Sequence, residues 1–377
     1  MRKETKMLFT GIATLTGTVI GAGFLGIPYV VAKSGFLIGL LLMVVVCFVM
    51  MLVNLMIGEI ALSTNAQHQL PGYASKYFGK KTKLIIFLAS IFGLYSALTA
   101  YLLGEGESLS FIFTNSTNYS LFAGIAFGIL MTALTTGGIK RFKKTEPFGV
   151  LAVFVVTLVL GVLSFDKINF ENLKYVNTNY IFYPFGVILF SFLGTSAIPE
   201  MRRILKRNEK LMKKAIIIGS LIPLFVYALF VVVVLGLYGQ NISEIATISF
   251  GKTIALLGVF TMFTAFLALN LALQDTYRLD FNISSKKAWV LSSVLPLLLF
   301  VIIKFYNLAG FVKILSIGGV ISGGTLAIAI MTIHEIIKTR EIENKMERKP
   351  EYHLHVPFVL KALLMLLFIL GIIYEII

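Results

Sequence analysis

Glycines and a proline interrupt a long apolar stretch near the start of the chain, where freed backbone groups could bind a polar ligand. These residues are Gly17, Gly21, Gly23, Gly26 and Pro28. The apolar run from 7 to 31 is long enough to cross a ~30 Å hydrocarbon core as a helix. Within a helix, however, glycine costs about 1 kcal/mol and proline about 3 kcal/mol relative to alanine. The pattern predicts either a helix broken near Gly21 to Gly23, with bare N–H and C=O groups at mid-membrane, or a glycine-lined crossing of two helices.

A second apolar stretch, 180–198, is interrupted in the same way. Small and polar residues lie in its second half, namely Ser191, Gly194, Thr195 and Ser196, and Pro199 follows them. Five predicted spans separate the two starts, so an odd number of crossings gives the two stretches opposite orientations. Interrupted segments at matching places in two five-span halves are typical of inverted-repeat transporters and of their binding sites. This correspondence favours the broken helix over the glycine-lined crossing.

The composition is that of a polytopic membrane protein. Of the 377 residues, 58% are hydrophobic and 14% are charged, whereas soluble domains have about 25% charged residues. The predicted spans are 7–31, 36–62, 83–104, 120–138, 147–165, 180–198, 214–238, 253–275, 287–305, 309–333 and 356–376. We expect a single transmembrane domain over 1–377, with one repeat at 7–165, a second at 180–333 and an extra helix at 356–376.

Lys and Arg fall mainly in alternate segments between the predicted spans, and this bias predicts the topology. It puts the N-terminus in the cytoplasm and, with an odd number of spans, the C-terminus outside, in a multi-pass protein of the plasma membrane. The formal net charge of +15 is explained by this topology, so it is no indication of nucleic-acid binding. The lipid bilayer is the expected surrounding, and the sequence leaves the oligomeric state open.

Several motifs in the first eight spans resemble those of a known transporter family. They are Gly17 to Pro28, Leu70 to Gly79, Leu94 to Tyr101 with Gly104 to Glu107, Phe190 to Pro199, Ile216 to Pro223, and Phe266 to Asp275. Together they are similar to the aromatic amino acid permeases (tyrosine and tryptophan permeases) of the amino acid/auxin permease group, within the amino acid-polyamine-organocation superfamily. The resemblance implies a leucine-transporter-like, all-α fold with a 5+5 inverted repeat, broken helices 1 and 6 and an eleventh helix. It also implies ion-driven uptake of amino acids.

This chain departs from that family at three places. The family's sixth-span histidine is missing beside Gly194, Ala265 stands where a serine is usual, and Asn270 stands where a small apolar residue is usual. These departures bear on the substrate and on the coupling ion.

A zwitterionic amino acid needs partners for a carboxylate and for an ammonium group. The positive end of a helix that begins near Gly23 suits the carboxylate, and free carbonyls at the sixth-span break suit the ammonium. The candidate substrate-binding residues are Thr18, Gly21, Ala22, Gly23, Tyr95, Ser191, Phe192, Gly194, Thr195 and Asn270. For the hydroxyl groups of Thr195 and Ser196, capping of the helix ends at the break is an equally good explanation. Packing is an alternative role for Tyr95.

The coupling ion is H⁺ or Na⁺, and no metal or other cofactor is expected. Glu59 is a candidate proton carrier or, alternatively, an acceptor that anchors a loop at the membrane edge. A sodium site would use carbonyls near Gly17 and Ile20 with the hydroxyl of Thr264, but Ala265 leaves that site incomplete, which favours protons. Glu105 and Glu107 are expected to be solvated residues at the rim of the membrane, and Lys313 is expected to reach outward or to pair with one of them.

The sequence predicts a secondary active transporter that imports a neutral, aromatic or bulky apolar amino acid by alternating access. One alternative is sodium-coupled transport of small neutral amino acids. Another is an amino acid sensor that uses the same fold without net flux. An enzyme is not expected, because no pair of His or Asp residues lies within the spans to provide converging titratable groups.

Overall fold

The apolar segments form helices because a bilayer core offers no water to the backbone, so N–H and C=O groups must bond within their own segment. The computed structural model describes residues 3–21, 23–136, 154–155, 157–162 and 164–376. Its helices are α1 (Lys3–Val19), α2 (Gly23–Ser34), α3 (Phe36–Leu62), α4 (Leu70–Phe78), α5 (Lys80–Thr114), α6 (Ser120–Thr135), α7 (Phe185–Ser191), α8 (Ala197–Ile204), α9 (Met212–Tyr238), α10 (Ala246–Ser249), α11 (Lys252–Phe281), α12 (Ser285–Phe305), α13 (Phe311–Ile342) and α14 (Phe358–Ile376).

The all-α prediction is confirmed, because the described part of the chain contains no β-strand beyond one isolated bridge between Gly35 and Val176. Within this part, 7 helices are long and apolar enough to cross a membrane, or 8 if the bent pair α1–α2 counts as one span. The described helices overlap every predicted span, although in the fifth only residues 154–155 and 157–162 are described as helical. Residues 147–153, 156 and 163 of that span lie outside the described residues, as do residues 137 and 138 of the fourth.

Both predicted interruptions are present as breaks between two helices. Helix α1 ends at Val19, α2 begins at Gly23, and their axes differ in direction by 56°. Helix α7 ends at Ser191 and α8 begins at Ala197. We call these the first break and the second break. Each break frees backbone groups in the middle of a span, which is the arrangement that the sequence predicted.

Small residues allow the helices around the breaks to approach closely. A methyl group added to Gly186 on α7 would lie 2.0 Å from Ser316 Oγ on α13, and one added to Gly319 would lie 2.4 Å from the Gly186 carbonyl oxygen. Likewise, a methyl on Gly93 of α5 would lie 2.4 Å from Ser322 Oγ. Helices α5, α7 and α13 therefore pack against one another with little side-chain material between them.

Helix α5 is longer than the predicted third span, and this corrects the expectation for one acidic residue. The helix runs to Thr114, ten residues beyond the predicted end at 104. Glu105 is consequently inside the bundle with 0% of its surface exposed, so the expected solvated position at the rim is wrong. Glu107 is mostly buried and pairs with Lys304 at 3.0 Å. Lys313 pairs with Glu375 of α14 at 2.8 Å, and not with either of these glutamates.

Candidate functional site

The two breaks lie against each other at Gly23 and Ser191. A methyl group added to Gly23 would lie 2.3 Å from Ser191 Oγ and 3.0 Å from Ser191 Cα, closer than any side chain can approach without a shift of backbone. The hydroxyl of Ser191 donates to the carbonyl of Val187 at 2.7 Å and so caps the end of α7. Glycine is therefore required at position 23 for the two breaks to meet.

Tyr227 on α9 joins the two breaks, although it is not among the residues predicted from the sequence. Its hydroxyl lies 2.9 Å from the Val19 carbonyl oxygen and 3.1 Å from the Ser191 carbonyl oxygen, and the side chain is 1% exposed. A phenol has one proton to donate, so the two carbonyls share it. The Phe192 ring packs edge-to-face on the Tyr227 ring, with centroids 5.3 Å apart. One donor thus contacts a carbonyl from each half of the protein, and the Val19 carbonyl also accepts the N–H of Gly21 at 2.9 Å.

The third-span tyrosine at the first break is Tyr101 rather than Tyr95. A methyl group added to Gly21 would lie 3.1 Å from the Tyr101 hydroxyl. The Tyr95 hydroxyl lies 2.9 Å from that of Tyr277 on α11 and 2.9 Å from the carbonyl of Leu291 on α12. Tyr95 therefore joins three helices to one another, which corresponds to the packing alternative.

The remaining predicted residues of the first and sixth spans differ in the hydrogen bonds that their polar groups make. The Gly194 carbonyl accepts the N–H of Ala197 at 3.0 Å, so it begins α8 instead of standing free. Thr18 donates its hydroxyl to the Thr14 carbonyl at 3.0 Å, within α1. Phe192 and Thr195 are buried at the second break. Ala22 lies outside the described residues.

Asn54 on α3 is a second residue at the breaks that is not among those predicted from the sequence. It is 1% exposed, and a methyl group added to Gly194 would lie 3.3 Å from its Nδ2. Within the described residues its Oδ1 has no hydrogen-bond partner. An asparagine inside the apolar run 36–62 was the available signal, because burying an unpaired amide oxygen costs free energy.

Asn270 is fully buried, but its amide bonds to the scaffold of the bundle. Its Nδ2 donates to the Ser292 carbonyl at 2.7 Å and to Ser293 Oγ at 3.1 Å, and its Oδ1 accepts from Gln274 Nε2 at 2.8 Å. Residues Val290–Val294 form a π-helical turn in α12. Asn270 therefore holds α11 against this turn, and its bonding capacity is used there.

The candidate sodium ligands come from α1 and α11. Gly17 and Ile20 are buried at the end of α1 beside the first break. Thr264 is half-buried and donates its hydroxyl to the Thr261 carbonyl at 3.0 Å, within its own helix. This bond uses the hydroxyl proton and leaves the oxygen lone pairs of Thr264, which are what a cation would bind.

Glu59 is buried at the end of the bundle predicted to face the cytoplasm, with donors on several sides. Its carboxylate lies 2.9 Å from His334 Nε2, 2.5 Å from Lys338 Nζ and 3.0 Å from the backbone N of Leu354. The other ring nitrogen of His334 has no partner among the described residues. A neutral imidazole that donates from Nε2 leaves no buried N–H unpaired, so His334 is neutral and Lys338 balances the charge of Glu59.

Glu59 also belongs to a cluster of possible metal ligands. One ligand atom from each of Glu59, Glu341 and His353 lies within 4.8 Å of the others. The ammonium of Lys338 is 2.5 Å from Glu59 and 2.8 Å from Glu341, so it occupies the position between the two carboxylates. The donor set therefore does not fit a metal ion.

Residues 343–357, which we call the inner strap, cross the same end of the bundle. Tyr352 donates its hydroxyl to the Leu55 carbonyl at 2.7 Å, and Glu347 pairs with Lys76 at 2.6 Å. Arg348 pairs with Glu209, which also lies 3.2 Å from Arg202. The hydrogen bond from Lys76 holds the pKa of the Glu347 carboxyl below its usual value. These bonds tie the strap to α3, to α4 and, through Glu209 in the turn before α9, to α8.

A groove of about 880 Å³ lies away from both breaks, between α5, α6 and α11. Its walls are apolar side chains such as Leu109, Phe127 and Phe260, with Thr253 as the one polar residue in its lining. Such a surface suits hydrocarbon chains and provides no partner for a zwitterion.

Sequence comparisons find relatives of this chain among amino acid permeases and transporters. The model of the tryptophan/tyrosine permease family matches residues 4–249. A glutamine transporter 2 from Aliivibrio fischeri is 26% identical over 77% of this chain and 80% of its own length. The tyrosine-specific transport system 1 of Haemophilus influenzae is 26% identical over 81% and 82%. The low affinity tryptophan permease of Escherichia coli K12 is 25% identical over 58% and 55%.

The fold has a solved counterpart. The crystal structure of MhsT in complex with L-phenylalanine superposes with a TM-score of 0.67, covers 97% of both chains and is 15% identical in sequence. The predicted leucine-transporter-like fold is thereby confirmed.

Proposed function

The chain belongs to the tryptophan/tyrosine permease family, and we propose that it imports a neutral, aromatic or bulky apolar amino acid by ion-coupled alternating access. The family consists of permeases, so the chain is a multi-pass membrane transport protein and not an enzyme. The substrate, the coupling ion and the direction of transport are our proposal.

The observation that carries the proposal is the meeting of the two breaks. The carbonyls of Val19 and Ser191 converge on one buried hydroxyl donor, that of Tyr227. An ammonium group is also a donor, with three N–H bonds to offer. On the other side of the first break, α2 begins at Gly23, and the first N–H groups of a helix are free to bind a carboxylate. The two charged groups of an amino acid therefore find complementary partners a few ångströms apart.

Aromatic side chains beside the breaks support a bulky apolar substrate. Phe24 and Phe230 pack edge-to-face with centroids 5.3 Å apart, and Phe192 and Tyr227 do the same. All four rings are at most 3% exposed. An aromatic surface of this kind agrees with the names of the tyrosine and tryptophan relatives and with the L-phenylalanine bound to MhsT. One relative is named as a glutamine transporter, so an amino acid with a polar neutral side chain is the competing substrate.

The proposed direction and location follow from the charge bias of the segments between spans, which favours a cytoplasmic N-terminus in the plasma membrane. The coupling ion is H⁺ or Na⁺. Because Ala265 has no hydroxyl, the predicted sodium site has Thr264 as its one hydroxyl ligand from α11, and this favours protons.

Uptake into proteoliposomes tests the proposal directly. Labelled tyrosine, tryptophan, phenylalanine, leucine, glutamine and alanine are offered while a proton gradient and a sodium gradient are imposed separately. We expect accumulation of the aromatic or bulky apolar substrates under one of the two gradients. Binding without accumulation under either gradient would indicate a sensor and would reject transport.

A glycine substitution tests the location of the substrate site. Gly23→Ala places a methyl group 2.3 Å from Ser191 Oγ and forces the two breaks apart. We expect a loss of uptake of about tenfold or more, because small displacements in a binding site cost about 10²-fold. Gly161→Ala is the matched control, since its methyl would lie at an ordinary 3.5 Å from Val233. Equal uptake by both variants would show that the breaks do not form the site.

A further inference from the structure

Glu105 lies on the face of α5 that looks toward the first break. It follows Tyr101 by four residues, and residues four apart lie above one another on a helix. The Tyr101 hydroxyl is 3.1 Å from where a methyl on Gly21 would stand. At 1.5 Å per residue, Glu105 is about 6 Å farther along the helix axis. The carboxyl group is therefore one helical turn from the candidate substrate site, on the side predicted to face outward.

The carboxyl group is buried without a partner. Glu105 is 0% exposed, and neither oxygen has a hydrogen-bond partner in the part of the chain that the structure describes. Ser108, three residues farther on, is also fully buried with an unpaired hydroxyl. The neighbouring glycines pack against Met262 and Phe311 on one side and against α6 on the other. The surroundings thus offer an ionised carboxylate no compensation.

The charged and titratable groups on the elements around this part of α5 are already engaged. On α5 itself, Glu107 pairs with Lys304 of α12 at 3.0 Å. Glu244, before α10, accepts the backbone N–H of Val312 at 3.1 Å. Lys313 of α13 is exposed and pairs with Glu375, and Lys33 of α2 is exposed and stacks over Tyr29.

The remaining neighbours carry no charge. Helix α6 and the stretch 253–274 of α11 contain no charged residue. An isolated ion in such a medium is strongly disfavoured, so the carboxyl group holds a proton in this arrangement.

We propose that Glu105 binds the proton that is transported together with the amino acid. This inference rests on the proposed transport function. The carboxylate takes a proton from water when the bundle opens outward, and it carries that proton as the neutral acid while the site is closed. It returns the proton to water when the inner side opens. No bond other than O–H forms or breaks, and the proton is the only species gained and lost.

The test compares two kinds of flux in proteoliposomes, for the unmodified protein and for Glu105→Gln. One is accumulation driven by a proton gradient, with the membrane potential collapsed and a pH dye inside the vesicles. The other is exchange of labelled for unlabelled substrate at equal pH, which needs no net proton movement. For the unmodified protein, each pH unit of gradient supports about a tenfold accumulation, and the dye records protons entering with the substrate.

For Glu105→Gln we expect exchange within about twofold of the unmodified protein, no accumulation under the proton gradient and no dye response. Glu105→Asp keeps a carboxyl group and should restore part of the proton-driven accumulation. Glu107→Gln is the matched control two residues away, and it should accumulate substrate as the unmodified protein does. Thermal unfolding and size-exclusion profiles identify variants that fail to fold.

Other outcomes would overturn the proposal. Proton-driven accumulation that survives in Glu105→Gln would exclude Glu105 as the carrier. Loss of exchange and of substrate binding in a folded Glu105→Gln would assign the carboxyl group to the ammonium of the substrate instead. If the unmodified protein exchanges substrate but accumulates it only under a sodium gradient, the proton site is wrong and the transport function stands. If it neither exchanges nor accumulates, both are wrong.

Discussion

Two glutamates with no exposed surface, Glu59 and Glu105, have opposite surroundings in this bundle. Glu59 accepts hydrogen bonds from His334, Lys338 and the Leu354 backbone, whereas Glu105 accepts none from the described residues. The first carboxylate is balanced by a lysine and holds elements together. The second has no counter-charge and so remains neutral until water reaches it. Burial alone therefore does not indicate a coupling role, and the partners of the carboxyl group decide it.

The strongest test of this comparison is the stability of the two isosteric variants. Glu59→Gln leaves the Lys338 charge with Glu341 alone, and we expect it to destabilise the fold by about 3 kcal/mol, as for other broken buried pairs. Glu105→Gln replaces a neutral acid by a neutral amide, and its effect should be below about 1 kcal/mol. Thermal unfolding of the purified proteins measures both. Equal destabilisation would mean that Glu105 is ionised and paired.

A smaller effect is expected for one donor to Glu59. His334→Leu removes the imidazole but leaves Lys338 and the Leu354 N–H in place. Loss of one buried hydrogen bond to a charged group should cost about 1–3 kcal/mol. His355→Leu, in the exposed part of the inner strap, is the control and should leave the unfolding temperature unchanged. No effect of His334→Leu would contradict the assigned network.

The smallest effect concerns the partly exposed pair of Glu347 and Lys76, and it depends on pH. Since the pKa of Glu347 is lowered from 4.5 in the folded protein, its contribution is complete above the unfolded pKa and is lost as the pH falls through the folded pKa. Because the pair is partly exposed, the contribution is about 0–1 kcal/mol. Glu347→Gln should therefore lower the unfolding temperature slightly at neutral pH and not at acid pH. An equal loss at both values would exclude an ionic contribution.

The sequence predicted the fold because its determinants are local. Apolar runs, the glycines at 17–26 and the Ser191 to Ser196 cluster each lie within one segment, and the count of spans between them supplied the inverted relation. The end of α5 was missed because the Gly104 to Glu107 stretch has the polar composition of a membrane edge. Only packing of this stretch against α6 and α13 keeps it inside the bundle.

The site was predicted less completely, because its contacts join distant segments. Gly21, Gly23 and Ser191 lie at the two breaks that the sequence predicted, and their role in substrate binding stays a prediction. In the sequence, however, Tyr227 cannot be distinguished from any other tyrosine in an apolar span. Its role depends on the packing of α9 beside both breaks. For the same reason Tyr101, and not the predicted Tyr95, lies at the first break. The two tyrosines are six residues apart, so they lie on different faces of α5.

The hydroxyl of Tyr227 gives the junction of the two breaks a hydrogen-bond donor that belongs to the protein. The Val19 carbonyl also accepts the N–H of Gly21 at 2.9 Å, whereas the Ser191 carbonyl has the phenol as its donor among the described residues. Leaving the buried Ser191 carbonyl without this donor would cost about 1–3 kcal/mol. An ammonium group that binds here, as proposed, therefore competes with the phenol for the same carbonyls. Its affinity for the site would reflect the difference between two donors and not the full strength of the new hydrogen bonds.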